Sequence, residues 1–552
     1  MGPETNIHSI RALEKQIEEG KGDIIKLKRT RNSLLNVSTR IPPEILGHIF
    51  VCSLTREVVE LVQPRYFGGL QKWCYNFLLV CHHWFEVASR TPELWSFWGN
   101  TFKDWKRCYR RSGAAPLDLV LDGDKCGLGV FFDESLQDAV RSRFMQDIIR
   151  QVHLQSNDSD TLTSIISSLT PADEGSQNGN VESIIWRGWP GIHSVDVSKF
   201  FARSHLSKLR FLELSGNFRI SSWNHLVSRT TLLTTLSLHI LDSPPSPTPT
   251  PAASQLLSIL SSNPDIRELN LSGAALPNDA DGSTLQAPLR GLKTLSMSGQ
   301  TRHVLGLMRR LTLPVTLDNI HLIVFGSTEE ILRTLVPYMR DYFQRDPMFQ
   351  DALGITSHFT PSSISIAVNA VCDLTTKLTR KPPFSTFTIM PVDPPPRDTL
   401  SQLFVRIITS TPRERVVVFS SDLSFELPEE LFSTMPNIEM MYLSDMVLSK
   451  GFLQPNPDGP HANRKLFPSL RVLYLENIRP DGSDWGHLIA YLAHQTSDGQ
   501  VISLGVCSPR MPPEVLDKVK SLVEKFTYFP DPEVEDEGSL SGCGWSTHEE
   551  NE

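Results

Sequence analysis

The sequence has no excess of basic residues. Its 552 residues contain 53 Lys and Arg against 62 Asp and Glu, and eight of the acids lie in residues 530–552, which contain no Lys or Arg. The net charge is −9 for the whole chain and about −1 without that segment. Because binding to nucleic-acid phosphates requires a basic face, this balance argues against a nucleic-acid partner.

Long apolar runs and a paired cysteine framework are also missing. No run approaches the roughly 20 residues that span a bilayer, and the polar N-terminal stretch lacks the apolar core of a secretory signal. The eight cysteines are scattered, which is typical of reduced thiols inside a cell. We therefore expect a protein of the cytoplasm, the nucleus or both, with no membrane partner.

Motifs for catalysis and cofactor binding are absent as well. There is no GxxxxGK[ST] phosphate loop, no GxGxxG after a strand and no HExxH, and GSLSG near the C-terminus has Leu540 where a nucleophile elbow needs serine. Cys74, Cys81, His82 and His83 form one metal-like cluster. Adjacent residues on a helix diverge by about 100°, which does not suit a tetrahedral zinc site. We expect no metal, no cofactor and no enzymatic activity.

The chain does contain enough apolar residues for a large folded core. Hydrophobic residues make up 40% of a length that exceeds one compact core, so we expect several modules or a repeat. Residues 1–36 are predicted to form a coiled-coil-like helix with at most weak self-association, because Gly20 and Arg31 interrupt its heptads. The alternative is a solvent-exposed helix that packs against the next domain. The apolar heptad positions are Ile10, Leu13, Ile17, Ile24, Leu27 and Leu34.

Three helical segments are predicted between Ile41 and Trp98. Pro42 and Pro43 suit the start of a helix, and the residues that follow carry one apolar stripe. The second segment, NFLLVCHHWFEVAS, is apolar almost all round, so it should be covered both by its own domain and by a partner. In the third segment, TPELW, Thr91 is predicted to cap a helix.

The order PPEIL..IF, LLVCHHWF, TPELW resembles the F-box, and the helix before it resembles the N-terminal arrangement of many fungal F-box-like proteins. The resemblance covers about the first 100 residues; the 26 residues between Phe50 and Phe77 are more than is usual for the motif. It implies docking on a Skp-type adaptor, which links the chain to a cullin scaffold and a RING subunit of a ubiquitin ligase. The alternative is a small helical domain, residues 37–111, that buries the same residues internally. The residues that match the motif and would bind the adaptor are Pro43, Glu44, Ile45, Leu46, Ile49, Phe50, Leu79, Val80, Cys81, Trp84 and Phe85.

A weak repeat occupies most of the remaining chain. The pattern apolar-x-x-apolar-x-apolar begins at Val181, Leu209, Leu233, Ile266, Leu292, Leu317, Phe384, Ile438, Leu470 and Val501. The two longest spacings, 67 and 54 residues, are each about two periods and are expected to hide degenerate copies such as RERVVVF.

The spacing of these copies resembles that of irregular leucine-rich repeats. The resemblance implies an α/β solenoid over residues 112–529. The acidic composition of residues 530–552 separately predicts a disordered tail. The alternative is an ordinary α/β domain with parallel buried strands. The Asn that usually follows the strand of such a repeat appears only as Asn217, so stacked aliphatic residues should hold the coils together.

Alternation along each strand predicts which side chains face outward. The residue between two inward apolar positions points out, onto the concave face of the solenoid. This neutral, hydroxyl-rich face ends in two tyrosines, which favours a protein target. The predicted target-binding residues are Glu213, Ser237, Asn270, Ser296, His321, Tyr442 and Tyr474.

The sequence therefore predicts a mixed α/β protein with an N-terminal helix, a small all-α F-box-like domain and a leucine-rich-repeat-like solenoid. The resemblance implies the non-catalytic substrate-recognition subunit of an SCF-type cullin-RING ubiquitin ligase, with protein ubiquitination occurring on partner subunits. The alternative is a non-ligase leucine-rich-repeat scaffold whose F-box-like helices only cap the solenoid. A hydrolase with a dispersed site is a third hypothesis, which the missing motifs disfavour.

Overall fold

The structure is a computed structural model, and it describes most of the chain. The described residues are 15–16, 18–28, 30, 41–60, 77–99, 105–122, 138, 149–170, 180–189, 193–204, 206–221, 223–241, 251–277, 285–314, 317–345, 353–360, 363–370, 385–391, 397–409, 414, 416–422, 435–444, 467–476, 484–497, 502–508 and 511–530. Most of the predicted acidic tail, and the heptad positions Ile10, Leu13, Ile17 and Leu34, lie outside these residues.

The chain divides into two compact units, Met1–Gly291 and Leu292–Glu552. Each unit is mixed α/β with a large parallel sheet, which confirms the predicted fold class at that level. Residues 112–529, predicted as one repeat array, extend over both units.

Helices alternate with strands along both units. Near the N-terminus the described residues between 15 and 30 are helical, and so are residues 77–80. The first unit contains α1 (Pro43–Glu60), α2 (His82–Arg90), a 3-10 helix (Pro92–Trp95), α3 (Trp105–Ser112), α4 (Ser159–Leu169), α5 (Ser198–Arg203), α6 (Asn224–Arg229) and α7 (Ala253–Ser262). The second contains α8 (Thr301–Met308), α9 (Thr328–Arg345), α10 (Arg397–Ile408), α11 (Asp484–Thr496) and α12 (Pro513–Leu522).

The strands are short. Those of the first unit are β1 (Phe97–Gly99), β2 (Leu117–Asp122), β3 (Ile149–Ser156), β4 (Ser183–Gly188), β5 (Val195–Asp196), β6 (Phe211–Gly216), β7 (Phe218–Arg219), β8 (Thr235–Ile240), β9 (Glu268–Gly273) and β10 (Ala287–Pro288). Those of the second are β11 (Thr294–Gln300), β12 (Leu311–Thr312), β13 (Asn319–Gly326), β14 (Leu353–Thr360), β15 (Ser363–Ala370), β16 (Ser385–Pro391), β17 (Val416–Asp422), β18 (Met440–Ser444), β19 (Val472–Glu476), β20 (Ser503–Ser508) and β21 (Lys525–Pro530).

Successive strands of the first unit pair in parallel, in the order β1, β2, β3, β4, β6, β8, β9. The register aligns Ile184, Leu212, Leu236 and Leu269, so the copies of the apolar pattern are neighbours in the sheet. These side chains are buried, because they and the apolar faces of helices such as α4 form one core. Strands β2 and β3 extend the same ladder, although the pattern did not identify them.

The second unit contains an interruption that the sequence pattern did not indicate. Strands β11, β13 and β16 pair in parallel, and so do β17 to β21. Between these two sets lie β15, antiparallel to both β14 and β16, and β14, parallel to β17. The 67-residue spacing therefore contains an antiparallel hairpin rather than a further copy of the repeat.

Strand pairing also tests two copies of the predicted repeat, the one at Phe384 and the degenerate copy RERVVVF. The copy at Phe384 is two residues out of register, because Phe387 aligns with Leu322 and not with Ile320. The degenerate copy RERVVVF is confirmed as a strand, since β17 begins at Val416 and pairs in parallel with β18.

A glycine closes strand β6. Gly216 has a φ of 126°, and a Cβ there would collide with the backbone carbonyl of Gly188 at the end of β4. Only glycine tolerates both the positive φ and this close approach. The Leu-Ser-Gly sequence at this point therefore ends the strand.

Candidate functional site

The first candidate site is an exposed apolar surface on the N-terminal helices. Large apolar side chains normally lie inside a protein, and a cluster of exposed ones marks an interaction site. On and beside α1 and α2 five such side chains are exposed, the extreme being Leu79, which is 80% exposed. This surface is called the apolar patch. Its residues are Ile45, Ile49, Leu79, Val80 and Phe85.

The opposite side of α1 belongs to the core of the helical segment. Leu46 and Phe50 are 2% and 1% exposed, and the Phe50 ring lies 4.6 Å from the Phe77 ring and 4.8 Å from the Trp84 ring between centroids. Leu46 and Phe50 were predicted to contact the adaptor, and this part of the prediction is corrected. An amphipathic helix has an inner and an outer side, and these two residues occupy the inner one.

The other predicted adaptor-binding residues lie at the edges of the patch. Pro43 and Glu44 are exposed in the first turn of α1, whereas Cys81 and Trp84 are half-buried. Cys81 ends the helical turn of residues 77–80 and caps α2, since its sulfur accepts a hydrogen bond from the Trp84 amide at 3.5 Å. The segment predicted as one helix is therefore broken at Cys81.

The end of the helical segment joins the sheet. Thr91 was predicted to cap the following helix, but its hydroxyl donates back to the carbonyl of Val87 and makes no cap to the 3-10 helix. Trp95 is buried and donates from Nε1 to the carbonyl of Ala88 at 2.8 Å. Strand β1 follows and pairs with β2. The helices are thus attached to the first strand of the ladder.

The second candidate site is the outer strand face of the first unit, formed by the side chains that alternate with the core residues. Glu213, Ser237 and Asn270 are in register on β6, β8 and β9, as alternation predicted. Ser237 is only 5% exposed, so its predicted exposure is corrected. The longer side chains of Glu213 and Asn270 stand on either side of this small residue.

Charged and polar groups on this face bind one another. Arg187 Nε donates to Glu213 Oε1 at 2.6 Å, and both side chains are largely buried. His239 Nδ1 lies 2.8 Å from the Ser272 hydroxyl. A serine beside an imidazole is the start of a nucleophile and base pair, yet no carboxylate hydrogen-bonds His239 in the described part of the chain. The arrangement suits a structural layer of polar side chains that bind one another.

The histidines of this face are neutral at pH 7. Burial lowers the pKa of His153 to about 3, and the charge of Arg187 acts in the same direction. Burial also lowers the pKa of His239, where Glu213 opposes the shift and Arg187 adds to it. Desolvation disfavours the charged imidazolium in both cases.

The third candidate site is the outer strand face of the second unit. Ser296 on β11 and His321 on β13 are in register, the serine half-buried and the histidine exposed. Partial burial lowers the pKa of His321. Further along the chain, Tyr442 on β18 and Tyr474 on β19 are in register and half-buried. Their rings stack at 4.9 Å between centroids with 5° between their planes.

The two tyrosines border a cavity that we call the aromatic cleft. It has a volume of about 290 Å³, is half open to solvent and is almost entirely apolar. Its lining residues are Val418, Ser420, Met440, Met441, Tyr442, Val472 and Tyr474.

The sequence prediction considered at most one outward residue per strand and missed those two positions before or after it. Arg187 and His239 follow the last apolar position of their copies and face outward by the same alternation. Val418, Met440 and Val472 lie two residues before the middle outward position and line the cleft. Extending the alternation over the whole strand would have identified both groups.

Comparisons with known proteins and searches for membrane helices or metal ligands identify no further site. A scan against models of protein families gave no match for this chain, and neither did a search of curated proteins. In the described ranges, no helix is long and apolar enough to cross a membrane. Within the same ranges no group of three or more His, Cys, Asp or Glu side chains could hold a metal ion. Cys74, part of the metal-like cluster in the sequence, lies outside them.

Proposed function

We propose that the chain is the substrate-recognition subunit of an SCF-type cullin-RING ubiquitin ligase. In this proposal the N-terminal helices are an F-box that binds a Skp-type adaptor, and the strand and helix array is an irregular leucine-rich-repeat solenoid that binds a target protein. The apolar patch is the observation that carries the proposal.

The patch supports a permanent protein partner for energetic reasons. Fully burying a side chain such as Ile or Leu stabilises an assembly by about 1.5–3 kcal/mol. Five such side chains are exposed on α1, on α2 and on the turn of residues 77–80, and α1 and α2 contact each other. The inner residues of these elements already form a core. The helical segment therefore does not need these five residues to fold, and a partner that covers them gains their burial.

The mechanism that follows is proximity. The adaptor would hold the chain on the cullin scaffold, and a bound target would then stand near the ubiquitin-conjugating enzyme at a high effective concentration. Bonds would be made and broken on other subunits, in the cytoplasm or the nucleus.

The proposal is tested by co-purifying the full chain with a Skp-type adaptor. We expect Ile45→Ser with Ile49→Ser to reduce adaptor affinity by about 100-fold, because each side chain would be a buried anchor of the interface. Leu232→Ser is the matched control, since Leu232 is also exposed but lies outside the patch. Trp84 is a poor reporter, because its ring packs against Phe50.

Circular dichroism and thermal unfolding should show no change for either variant, because the substituted side chains are exposed. Adaptor binding by the Ile45→Ser, Ile49→Ser protein at wild-type affinity would refute the proposed interface.

A second candidate function is a leucine-rich-repeat scaffold without ligase activity. Pairing of β1 with β2 favours it, because this pairing lets the helices cover the first edge of the ladder. A capping role alone predicts that no Skp-type adaptor binds the wild-type chain. It also predicts that removal of residues 1–99, which include β1, exposes β2 to rapid hydrogen exchange.

A further inference from the structure

The aromatic cleft has a shape and chemistry that identify what it binds. We propose that it receives one planar aromatic side chain, that of Trp, Phe or Tyr, presented by an extended segment of a target protein. That the partner is a ubiquitination target rests on the proposed function. The binding of an aromatic side chain rests on the cleft alone.

One wall of the cleft is a ring face. The rings of Tyr442 and Tyr474 stand parallel on neighbouring strands, with their centroids 4.9 Å apart. Tyr474 covers one face of the Tyr442 ring, and the other face points toward Ser420, which is the residue in register on β17. A third flat ring placed there would continue the stack with favourable geometry.

The cleft is small for a ligand-binding site. Pockets for drug-sized ligands measure about 300–1,000 Å³ and bury most of the ligand surface. This cleft is slightly smaller, at about 290 Å³, and is half open. A side chain that enters from a polypeptide needs an open side for its own backbone, whereas a free small molecule would be left half exposed.

The lining excludes charged ligands. Val418, Met440 and Val472 form an apolar row below the rings, and Ser420 adds one hydroxyl beside the Tyr442 ring. An ammonium or carboxylate group buried here would lose its hydration without a partner of opposite charge. An indole or phenol would instead find apolar contacts with this row and a ring face on which to stack.

Gly505 leaves room for this arrangement. It is in register with Tyr474 on β20, and a Cβ at this position would lie 2.5 Å from Cδ2 of the Tyr474 ring. The Tyr474 ring therefore occupies space that any other residue would fill. Gly505→Ala should push this ring toward Tyr442 and disturb the stack without removing any side chain from the cleft.

The test uses the full chain and three probes, N-acetyl-L-tryptophanamide, N-acetyl-L-leucinamide and N-acetyl-L-lysinamide. Saturation-transfer NMR should show millimolar binding of the tryptophan probe through its indole protons, weaker binding of the leucine probe and none of the lysine probe. Equal binding of all three probes would overturn the proposal, because it would show no preference for a ring.

Variants locate the binding site. We expect Tyr442→Ala with Tyr474→Ala to lower the affinity for the tryptophan probe by about tenfold. Gly505→Ala should also lower this affinity. The matched control is Tyr338→Ala with Tyr342→Ala, which removes a stacked pair on α9 with centroids 6.3 Å apart and leaves the cleft intact. Unchanged probe affinity in both cleft variants would overturn the proposal; if the double variant is unfolded, Gly505→Ala decides alone.

Adaptor co-purification with the same variants separates this proposal from the proposed function. Cleft variants that no longer bind the tryptophan probe but still bind the adaptor agree with both the cleft proposal and the proposed function. A wild-type chain that binds the probe and no adaptor would refute the ligase role and leave the aromatic cleft standing.

Discussion

The outer strand faces of the two units follow the same alternation but have opposite chemistry. In the first unit Arg187 binds Glu213 and His239 contacts Ser272, so polar groups satisfy one another within the sheet. In the second unit Tyr442 and Tyr474 stack beside an apolar row. On the first face polar side chains bind one another, whereas the second face leaves an aromatic ring and an apolar row that a partner could cover. Under the proposed function, target binding would therefore be centred on the second unit.

The largest effect should come from breaking the ion pair of the first unit. Glu213→Ala should lower the free energy of unfolding of that unit by about 3 kcal/mol, because it leaves the largely buried guanidinium of Arg187 without this carboxylate. Pulsed hydrogen exchange in urea, read on peptides from β4 and β6, measures the change for this unit alone.

Replacement of both partners is the control for this prediction. Arg187→Met with Glu213→Leu should recover most of the loss, because neither charge of this pair then remains buried. If Glu213→Ala is no more destabilising than Tyr442→Ala, the two faces do not differ as the comparison requires.

A smaller effect is expected from the buried histidine of the first unit. The pKa of His153 is about 3 in the folded chain, against about 6.5 when unfolded. Between these values the unfolded chain binds a proton that the folded chain does not, so the stability present above pH 6.5 is lost as the pH falls toward 3. We expect a loss of about 2 kcal/mol between pH 8 and pH 5.

The slope of stability against pH is the quantity to measure. His153→Gln should flatten this slope in peptides from β3 and β4, whatever its effect at pH 8. His321→Gln is the comparison in the second unit, where the side chain is exposed and the slope should change less. Equal changes would contradict the assignment of the buried, neutral histidine to the first unit.

The smallest effect should come from the tyrosine stack. Tyr442→Ala should lower the free energy of unfolding of the second unit by about 1 kcal/mol, the value of one stacked aromatic pair. Its neighbour Leu443 is fully buried, and Leu443→Ala should cost about 3 kcal/mol in the same peptides of β18 and β19. If Tyr442→Ala costs as much as Leu443→Ala, the stack is part of the core and not a surface for binding.

The apolar repeat in the sequence was sufficient to predict the buried residues of many of the parallel strands. The apolar repeat predicted that Leu212, Leu236 and Leu269 are buried, and these residues are in register on neighbouring strands. It succeeded because alternation and burial are properties of a single strand. The hairpin of β14 and β15 was not predicted, because the direction in which a strand joins a sheet depends on its partner strands.

The N-terminal helices show the same limit. Their apolar residues were predicted correctly as helical, but Leu46 and Phe50 were assigned to the partner surface although they form the core. The apolar stripe of α1 is wide enough to contact both its own domain and a partner. The sequence alone does not determine which residues of the stripe face the domain. Packing against Phe77 and Trp84 decides this, and it leaves Ile45 and Ile49 outside.

The sequence by itself determined the α/β class, the start of α1 at the paired prolines and the inward side of most strands, because each depends on neighbours along the chain. Tertiary structure decided that Arg187 meets Glu213, that Tyr442 stacks on Tyr474 and that Gly505 makes room for the second ring. These contacts join strands separated by 26, 32 and 31 residues. Only the pairing register brings such residues to one face, because strands in a sheet stand about 4.8 Å apart wherever they lie in the chain.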